Sequence, residues 1–323
     1  PPPPQPEAVQ REGQAFVEAL RPRRPGRPVV AVLALNDGTE TTDLLLPHAV
    51  LERSGLFDVQ VVAGHPGTVQ LFPALAVQAE QDLAGFDRAH PGGADYVIVP
   101  ALARDDDPVL LAWLRRQAAR GAIVIGVCRG TRVVGEAGLL DGRRCTTHHD
   151  LQDDLAARYP RAHVVRDVLY VVDGRVITSA GIASGIDMAL HLIATRHGPA
   201  AAARIAREMV VFSRRNGHEQ QESALLRYRS HISDVVHRAQ DIIDANVTSP
   251  LPLSTLAAQC GVSERTLTRQ FVRATGLTPL RYQQILRVER AEHLIGQGAT
   301  VEAAARAVGF SDARMLRRLR SRA

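Results

Sequence analysis

Residues 122–130 read AIVIGVCRG, and this stretch decides the fold of the larger part of the chain. Its first six residues are apolar without alternation, which is typical of a strand buried on both faces of a sheet. Gly126 and Gly130 flank Cys128, and small residues at these two positions allow a sharp turn from a strand into a helix. The pattern therefore predicts a buried strand, a turn that exposes Cys128, and a helix behind it.

Strands and helices alternate on both sides of this stretch. The predicted strands are Val29–Leu35, Asp58–Ala63, Ala94–Val99, Ala122–Val127, His163–Val165, Val168–Val172 and Arg175–Thr178, and the predicted helices are Thr42–Ser54, Pro108–Arg120, Gly130–Ala137 and Ser184–Ala194. In the last of these helices, Ser184 and Asp187 form a pair typical of a helix start. Alternation of this kind indicates a parallel sheet with helices on both faces.

Length and composition set the class of protein. The chain has 323 residues, about two domains' worth, and 45% apolar with 23% charged residues is typical of a globular protein. No apolar run approaches the roughly 18 residues of a membrane span, and the start has no signal-peptide pattern. Three cysteines, Cys128, Cys145 and Cys260, are too few for a disulfide framework. We therefore expect a cytoplasmic protein.

The charge is distributed unevenly along the chain. All 39 basic residues are Arg, and the net charge is +5. Residues 1–28 carry 5 Arg and 3 acidic residues, residues 29–244 carry 22 Arg and 26 acidic residues, and residues 245–323 carry 12 Arg and 5 acidic residues. An acidic body with a basic end is expected when one domain binds a polyanion and the other does not.

These observations predict four segments. Residues 1–28 are rich in Pro and Arg and are expected to be a mobile tail. Residues 29–214 form the α/β domain, and the polar stretch 215–230 is predicted to be a linker. Residues 231–323 show only helical periods and turns, so we expect an all-α domain there.

The all-α domain contains an internal repeat with an offset of 48 residues. LSTLAAQCGVSERTLTRQF (residues 253–271) aligns with VEAAARAVGFSDARMLRRL (residues 301–319). The matched pairs are Ala257 with Ala305, Gly261 with Gly309, Ser263 with Ser311 and Leu267 with Met315. A small residue, a turn glycine four residues later and an apolar residue six beyond it is the spacing of a helix-turn-helix.

This domain resembles the AraC-type DNA-binding domain, which has two helix-turn-helix units joined by a long helix. The G-x-T-P-x-x-Y pattern at Gly276–Tyr282 also resembles the family, and Pro279–Leu294 would be the joining helix. The resemblance implies a double-stranded DNA operator, with each second helix in the major groove, and a homodimer.

The first reading helix is predicted at Ser263–Ala274, with Leu267 and Phe271 buried. Its outward residues would then be Arg265, Thr268 and Arg269, with Arg273 directed at phosphate. Arg is the side chain best shaped to bind guanine through two hydrogen bonds.

The second helix offers Arg314, Arg317 and Arg318, but Arg320 stands where the family more often has an aromatic residue. Either the register is shifted so that Leu319 packs, or the end is trimmed or weakened.

Two other segments carry residues that belong with the strand-to-helix turn at Cys128, which we call the elbow. Thr146-Thr147-His148 follows the predicted helix, and Asp43 lies four residues before Pro47 on the segment after the first strand. Together these residues resemble the PfpI-like members of the class I glutamine amidotransferase-like superfamily. The resemblance implies a flavodoxin-like three-layer sandwich with a mostly parallel sheet, and one pocket lined by Asp43, Cys128 and His148. PfpI-like and AraC-type domains in this order resemble the GlxA-type transcriptional regulators.

The residues around Cys128 favour ligand sensing over catalysis. Arg129 stands where family hydrolases often have His, and Pro100-Ala101-Leu102 replaces a P-G-G loop. Without a Cys–His pair and two amides for an oxyanion, acyl transfer loses its largest contributions. Two alternatives remain open: Cys128 as the nucleophile of a hydrolase or amidotransferase-like activity, with its thiolate favoured at a helix start, or Cys128 as a redox sensor.

We therefore expect a regulator and not an enzyme, without a cofactor and without a metal-ligand spacing. The predicted ligand-binding residues are Asp43, Cys128, Arg129, His148 and Gly181. Arg129 indicates a small-molecule effector with a carboxylate or phosphate group.

Overall fold

The computed structural model of the chain describes residues 26–211, 215–296 and 298–320. The predicted tail lies outside these residues except for its last three. The chain divides into two compact units between Gln221 and Glu222. No helix of the described residues is long and apolar enough to cross a membrane.

The first unit is built on a seven-stranded sheet. Its strands, with those of two smaller sheets, are β1 (Val29–Ala34), β2 (Thr39–Glu40), β3 (Asp58–Ala63), β4 (Thr68–Phe72), β5 (Ala76–Gln78), β6 (Gln81–Asp82), β7 (Tyr96–Val99), β8 (Ile123–Val127), β9 (Arg144–Cys145), β10 (His163–Val164), β11 (Tyr170–Asp173) and β12 (Val176–Ser179). The order in the main sheet is β11-β12-β8-β7-β1-β3-β6. The pair β11–β12 is antiparallel, and the other pairs in this sheet are parallel.

Helices cover both faces of this sheet. They are α1 (Thr41–Ser54), α2 (Leu83–Ala89), α3 (Pro108–Ala119), α4 (Gly130–Glu136), α5 (Gln152–Arg158), α6 (Ser184–His197) and α7 (Pro199–Glu208), with a 3₁₀ turn at His149–Leu151. Along β1, Val30 and Val32 belong to a core shared with α1, α6 and α7. Ala31 and Leu33 belong to the core on the opposite face, with α2, α3 and α4. The predicted three-layer sandwich with a mostly parallel sheet is thus confirmed.

The second unit is helical. Its helices are α8 (Ala224–Arg227), α9 (Asp234–Ala245), α10 (Leu253–Gln259), α11 (Glu264–Thr275), α12 (Pro279–Gly296), α13 (Val301–Ala307) and α14 (Ala313–Arg320). No strand is present in the described residues after Glu222. The unit has two separate apolar cores, one around α9 to α11 and the first half of α12, the other around the second half of α12, α13 and α14. Each core belongs to one helix-turn-helix unit.

The predicted linker differs from the structure in its first part. The backbone amide and guanidinium of Arg215 donate to the buried carboxylate of Asp187, with the shortest bond at 2.7 Å. Leu169 N–H donates to the carbonyl of Gly217 at 2.8 Å. Residues 215–221 therefore pack on the α/β unit. Since Asp187 binds Arg215, it does not cap α6, and Ser184 donates instead to the carbonyl of Gly181.

Replacing Gly130 by Ala should destabilise the α/β unit. A Cβ at this position would overlap the carbonyl oxygen of Val99 and lie 2.6 Å from that of Pro100, and neither backbone group can move freely. We expect a loss of about 3 kcal/mol or more in the free energy of unfolding, measured by urea denaturation. Gly64→Ala is the matched control, because its Cβ would meet only Asn36 Oδ1 at 3.5 Å. Equal stability of the two variants would contradict this packing.

Candidate functional site

Cys128 lies in a strained turn between β8 and α4. Its φ of 55° is in the left-handed region, where residues other than glycine are uncommon. Its amide donates to the carbonyl of Ser179, at the end of β12, with a bond of 2.9 Å. Gly181 approaches so closely that a Cβ there would overlap the Cβ of Cys128. The predicted elbow is present, and Gly181 lies directly against it.

The carboxylate of Asp43 lies beside the thiol of Cys128. Asp43 is on the first turn of α1, is fully buried, and hydrogen bonds to the thiol. It also accepts from the amides of Ile182 at 2.9 Å and Ala101 at 3.3 Å. Burial raises the pKa of Asp43 to about 6, although both amides oppose the shift. Glu40 begins the helix by accepting from the Asp43 amide at 2.6 Å.

The surroundings of Cys128 disfavour the thiolate that the catalytic alternative requires. Burial, and next the negative charge of Asp43, raise the pKa of the Cys128 thiol to about 12. The amide of Arg129 points at the sulfur and acts in the opposite direction, but it is the weaker influence. The thiol is therefore protonated at neutral pH. A favourable position at a helix start does not overcome burial next to a carboxylate.

The Thr146-Thr147-His148 segment is attached to the elbow through its threonines. The hydroxyl of Thr147 donates to the carbonyl of Cys128 at 2.7 Å, and the hydroxyl of Thr131 donates to the carbonyl of Thr146 at 3.2 Å. The structure thus brings Asp43, Cys128 and Gly181 together and places His148 one residue from the elbow contact.

His148 begins the 3₁₀ turn that follows. Its Nδ1 accepts from the amide of Asp150 at 3.4 Å, and its ring stacks on that of His149 with 4.2 Å between centroids. The ligand atoms of these three residues lie within 4.8 Å of one another, close enough for a metal ion. The three residues follow one another directly in the sequence, so they do not show the separated ligand positions by which a metal site is found from sequence. The side chains of His149 and Asp150 are exposed, and that of His148 is half-buried.

Arg129 contacts a carboxylate of the protein itself. Its guanidinium donates to both oxygens of Asp105 at 3.2 Å, and Asp105 is buried. A ligand carboxylate is therefore not needed to satisfy Arg129, and the expected acidic group on the effector loses its support. Sequence reasoning missed Asp105, since the acidic run Asp105–Asp107 marked only a loop.

The amides near the thiol are also engaged. Ala101, in the loop that often forms an oxyanion hole in related hydrolases, directs its amide at Asp43. Ile182 directs its amide at the other oxygen of the same carboxylate. Sequence reasoning missed Ile182, whose φ of 47° aims its amide inward. Both amides donate to the carboxylate of Asp43 and are not free to stabilise an oxyanion. The site is therefore better suited to binding polar groups than to acyl transfer.

The first helix-turn-helix unit presents its arginines to solvent. Ser263 caps α11 by accepting from the amide of Thr266 at 3.2 Å, after the left-handed turn at Gly261 with φ 71°. Leu267 and Phe271 are fully buried, as predicted. Thr268 is half-buried. The side chains that remain exposed on this helix are Glu264, Arg265, Arg269, Val272 and Arg273. None of the three arginines forms an ion pair with a carboxylate of the described residues.

The second unit buries Leu319 at the position that matches Phe271 of the first unit. Leu316 is fully buried and Leu319 nearly so, whereas Met315 is only half-buried. Met315, the match of Leu267, packs against the second core from a half-buried position, beside the fully buried Leu316. Arg320 forms an ion pair with Glu292 at 2.5 Å. Because of this ion pair, a charged residue can occupy the position where the AraC-type family more often has an aromatic residue.

The three arginines predicted for the second reading helix differ in their surroundings. Arg314 is exposed, and Arg317 forms an ion pair with Glu302 at 2.6 Å between two exposed side chains. Arg318 donates to the sulfur of Met315 at 3.1 Å. An ion pair between exposed side chains contributes little to the stability of the protein. Arg317 can therefore exchange Glu302 for a phosphate.

Comparison with known proteins agrees with both halves of this architecture. Residues 29–195, more than half of the chain, match the model of the DJ-1/PfpI family. The chain belongs to the DJ-1/PfpI family. Residues 256–322 match the model of a helix-turn-helix domain, so an AraC-type DNA-binding domain follows the DJ-1/PfpI domain.

Three of the similar proteins are a transcriptional regulator, an enzyme and a protein whose structure has been solved. The chain is 34% identical over 192 residues to the HTH-type transcriptional regulator CdhR of Pseudomonas aeruginosa, covering 59% of this chain and 56% of CdhR. It is 43% identical over 105 residues to isonitrile hydratase of Pseudomonas putida, covering 32% and 41%. A ThiJ/PfpI family protein from Pseudomonas syringae has 25% identity and a TM-score of 0.52, covering 58% and 76%. The chain spans about half the length of the curated regulators it matches.

Cys128 should react slowly with iodoacetamide at pH 8, because its thiol is protonated and lies half-buried next to Asp43. We expect a rate at pH 8 about tenfold or more below that of glutathione, followed by mass spectrometry. Asp43→Asn removes the negative charge and should raise the rate about fivefold or more. Asp95→Asn, at the opposite end of β7, is the control and should leave the rate unchanged. A fast wild-type reaction that Asp43→Asn does not change would contradict this electrostatic picture.

Proposed function

We propose that the protein is a cytoplasmic, homodimeric transcriptional regulator that binds a double-stranded DNA operator and senses a small-molecule effector. The observation that carries the proposal is the exposed row Arg265, Arg269 and Arg273 on α11, without a carboxylate partner among the described residues. These arginines lie on the segment of the chain with the largest positive charge. Unpaired cations on a reading helix are available for bases and phosphates.

The role of each arginine follows from its place on the helix. Arg265 and Arg269 lie one turn apart on the exposed face, where each can bind a guanine edge. Arg273 lies one turn further on and is assigned to a phosphate. Arg314, Arg317 and Arg318 take the equivalent roles on α14, with Thr268 as a smaller contact.

The pocket at Cys128 is proposed to bind the effector without chemistry. We assign it to Asp43, Cys128 and Gly181, with His148 at its edge and Arg129 beside it on Asp105. A nucleophile needs a thiolate and free oxyanion donors. Here the thiol is protonated and the Ala101 and Ile182 amides donate to Asp43. A protonated thiol is also a slow target for peroxide, which disfavours the redox alternative.

The pocket is connected to the end of the α/β unit through Thr147. Its hydroxyl donates to the carbonyl of Cys128, and its own carbonyl accepts from the side-chain amide of Gln221 at 2.9 Å. The same amide donates to the carbonyl of Val168 at 3.0 Å. The DNA-binding unit begins at the next residue, Glu222. We therefore assign Gln221 the role of transmitting changes at the elbow, provided that the effector binds two arrangements with different affinity.

Arg265→Ala and Arg269→Ala should each relax base preference at one operator position and cost about 1–3 kcal/mol there. Arg273→Ala should weaken binding to every sequence equally and reduce the salt dependence of log K by about one. The measurement is selection of duplexes from a random pool, followed by titration at several salt concentrations. Unchanged base preference in both of the first variants would remove α11 from operator readout.

Alkylation of Cys128 should change operator affinity through Gln221. With the carbamidomethyl adduct as the occupant of the pocket, we expect the operator Kd of the wild type to change about fivefold or more. Gln221→Leu should bind operator normally but lose this response.

Gln152→Leu is the matched control, because the Gln152 amide also donates to the carbonyl of Thr147, at 3.4 Å, but does not adjoin the DNA-binding unit. A response that persists in Gln221→Leu would reject this residue as the connection. No response in the wild type would reject the pocket as a sensor.

A further inference from the structure

Arg287 lies on α12 where the two helix-turn-helix units meet. Its Nε donates to the carbonyl of Val247 at 2.6 Å, and its Nη2 donates to the carbonyl of Ser249 at 2.9 Å. Its Nη1 donates to the carbonyl of Gly309 at 3.1 Å. One guanidinium therefore binds three carbonyl oxygens from two distant segments of the chain.

These segments belong to different helix-turn-helix units. Val247 is part of the first apolar core, and residues 247–249 lead from α9 to α10. Gly309 is the turn residue of the second unit, and its neighbour Phe310 belongs to the second core. The guanidinium carbon of Arg287 lies 5.8 Å from the centre of the Phe310 ring, over its face. Arg287 thus bonds to the backbone of both units at once.

A second close contact joins the same two segments. Gly309 has a φ of 83°, and a Cβ there would overlap the carbonyl oxygen of Thr248. The turn of the second unit is therefore in direct backbone contact with the loop of the first. Since the two cores are otherwise separate, this contact and Arg287 restrain how the units are placed on α12.

We propose that Arg287 is a positioning residue that holds the two reading helices at a set spacing, so that the protein selects operators by the distance between two contacted segments. The inference rests on the proposed DNA binding. A guanidinium with three fixed carbonyl acceptors resists both rotation and translation of one unit against the other, which a single point contact would not do. The operator must then match that spacing.

The test uses the full chain and duplexes that the wild type selects from a random pool. Single base pairs are inserted or deleted between the two contacted segments, and the dissociation constant is measured at one salt concentration. Each inserted pair turns the second segment by about a tenth of a helical turn. We expect the wild type to lose about tenfold or more in affinity per inserted pair, and Arg287→Ala to lose about threefold or less.

Two further variants keep the test decisive. Arg290→Ala removes the same charge from an exposed position on α12, so any loss of affinity should fall equally on all spacings. Arg287→Lys keeps the charge but cannot bind three carbonyl groups, so its loss of affinity per inserted base pair should be intermediate. This variant replaces Arg287→Ala in the test if circular dichroism shows that Arg287→Ala does not fold. A wild-type penalty retained in both Arg287 variants would overturn the inference. Failure of the wild type to select any duplex would instead overturn the proposed DNA binding.

Discussion

The approach of three backbone segments at Cys128 is the constraint on which the α/β unit and its pocket depend. At each of these contacts there is room only for a glycine. A Cβ at Gly126 would lie 2.9 Å from the Cα of Thr131. A Cβ at Gly130 would overlap β7, and one at Gly181 would overlap Cys128. The left-handed backbone of Cys128 is tolerated because its amide bonds to β12. The ends of the neighbouring strands β7, β8 and β12 are therefore held close together around the turn that carries Cys128.

Electrostatics then decide what this pocket can do. Proteins similar to this chain include a transcriptional regulator and an enzyme, because function depends on the groups at a site and not on the fold. Here a buried carboxyl is hydrogen bonded to a half-buried thiol, and desolvation favours the neutral form of each. The nearby amides serve the carboxyl of Asp43.

Arginine has three separate roles in the DNA-binding unit, although the composition alone does not distinguish them. Arg265 and Arg269 are exposed without an acidic partner and suit DNA. Arg320 forms an ion pair with Glu292 that replaces an apolar contact. Arg287 binds backbone carbonyls of both helix-turn-helix units. The positive charge of the segment therefore overstates the number of side chains available to a nucleic acid.

The sequence by itself determined the alternating strands and helices, the elbow at Cys128 and the two helix-turn-helix units, because each is encoded by neighbouring residues. It missed the short strands β4 and β5 and helix α7, whose segments lack a long apolar run. It did not single out Leu316, which is fully buried beside the half-buried Met315. Only the tertiary structure decided that Arg129 binds Asp105 and that the pocket amides bind Asp43. Those partners lie far apart along the chain, and no local pattern records which of them meet.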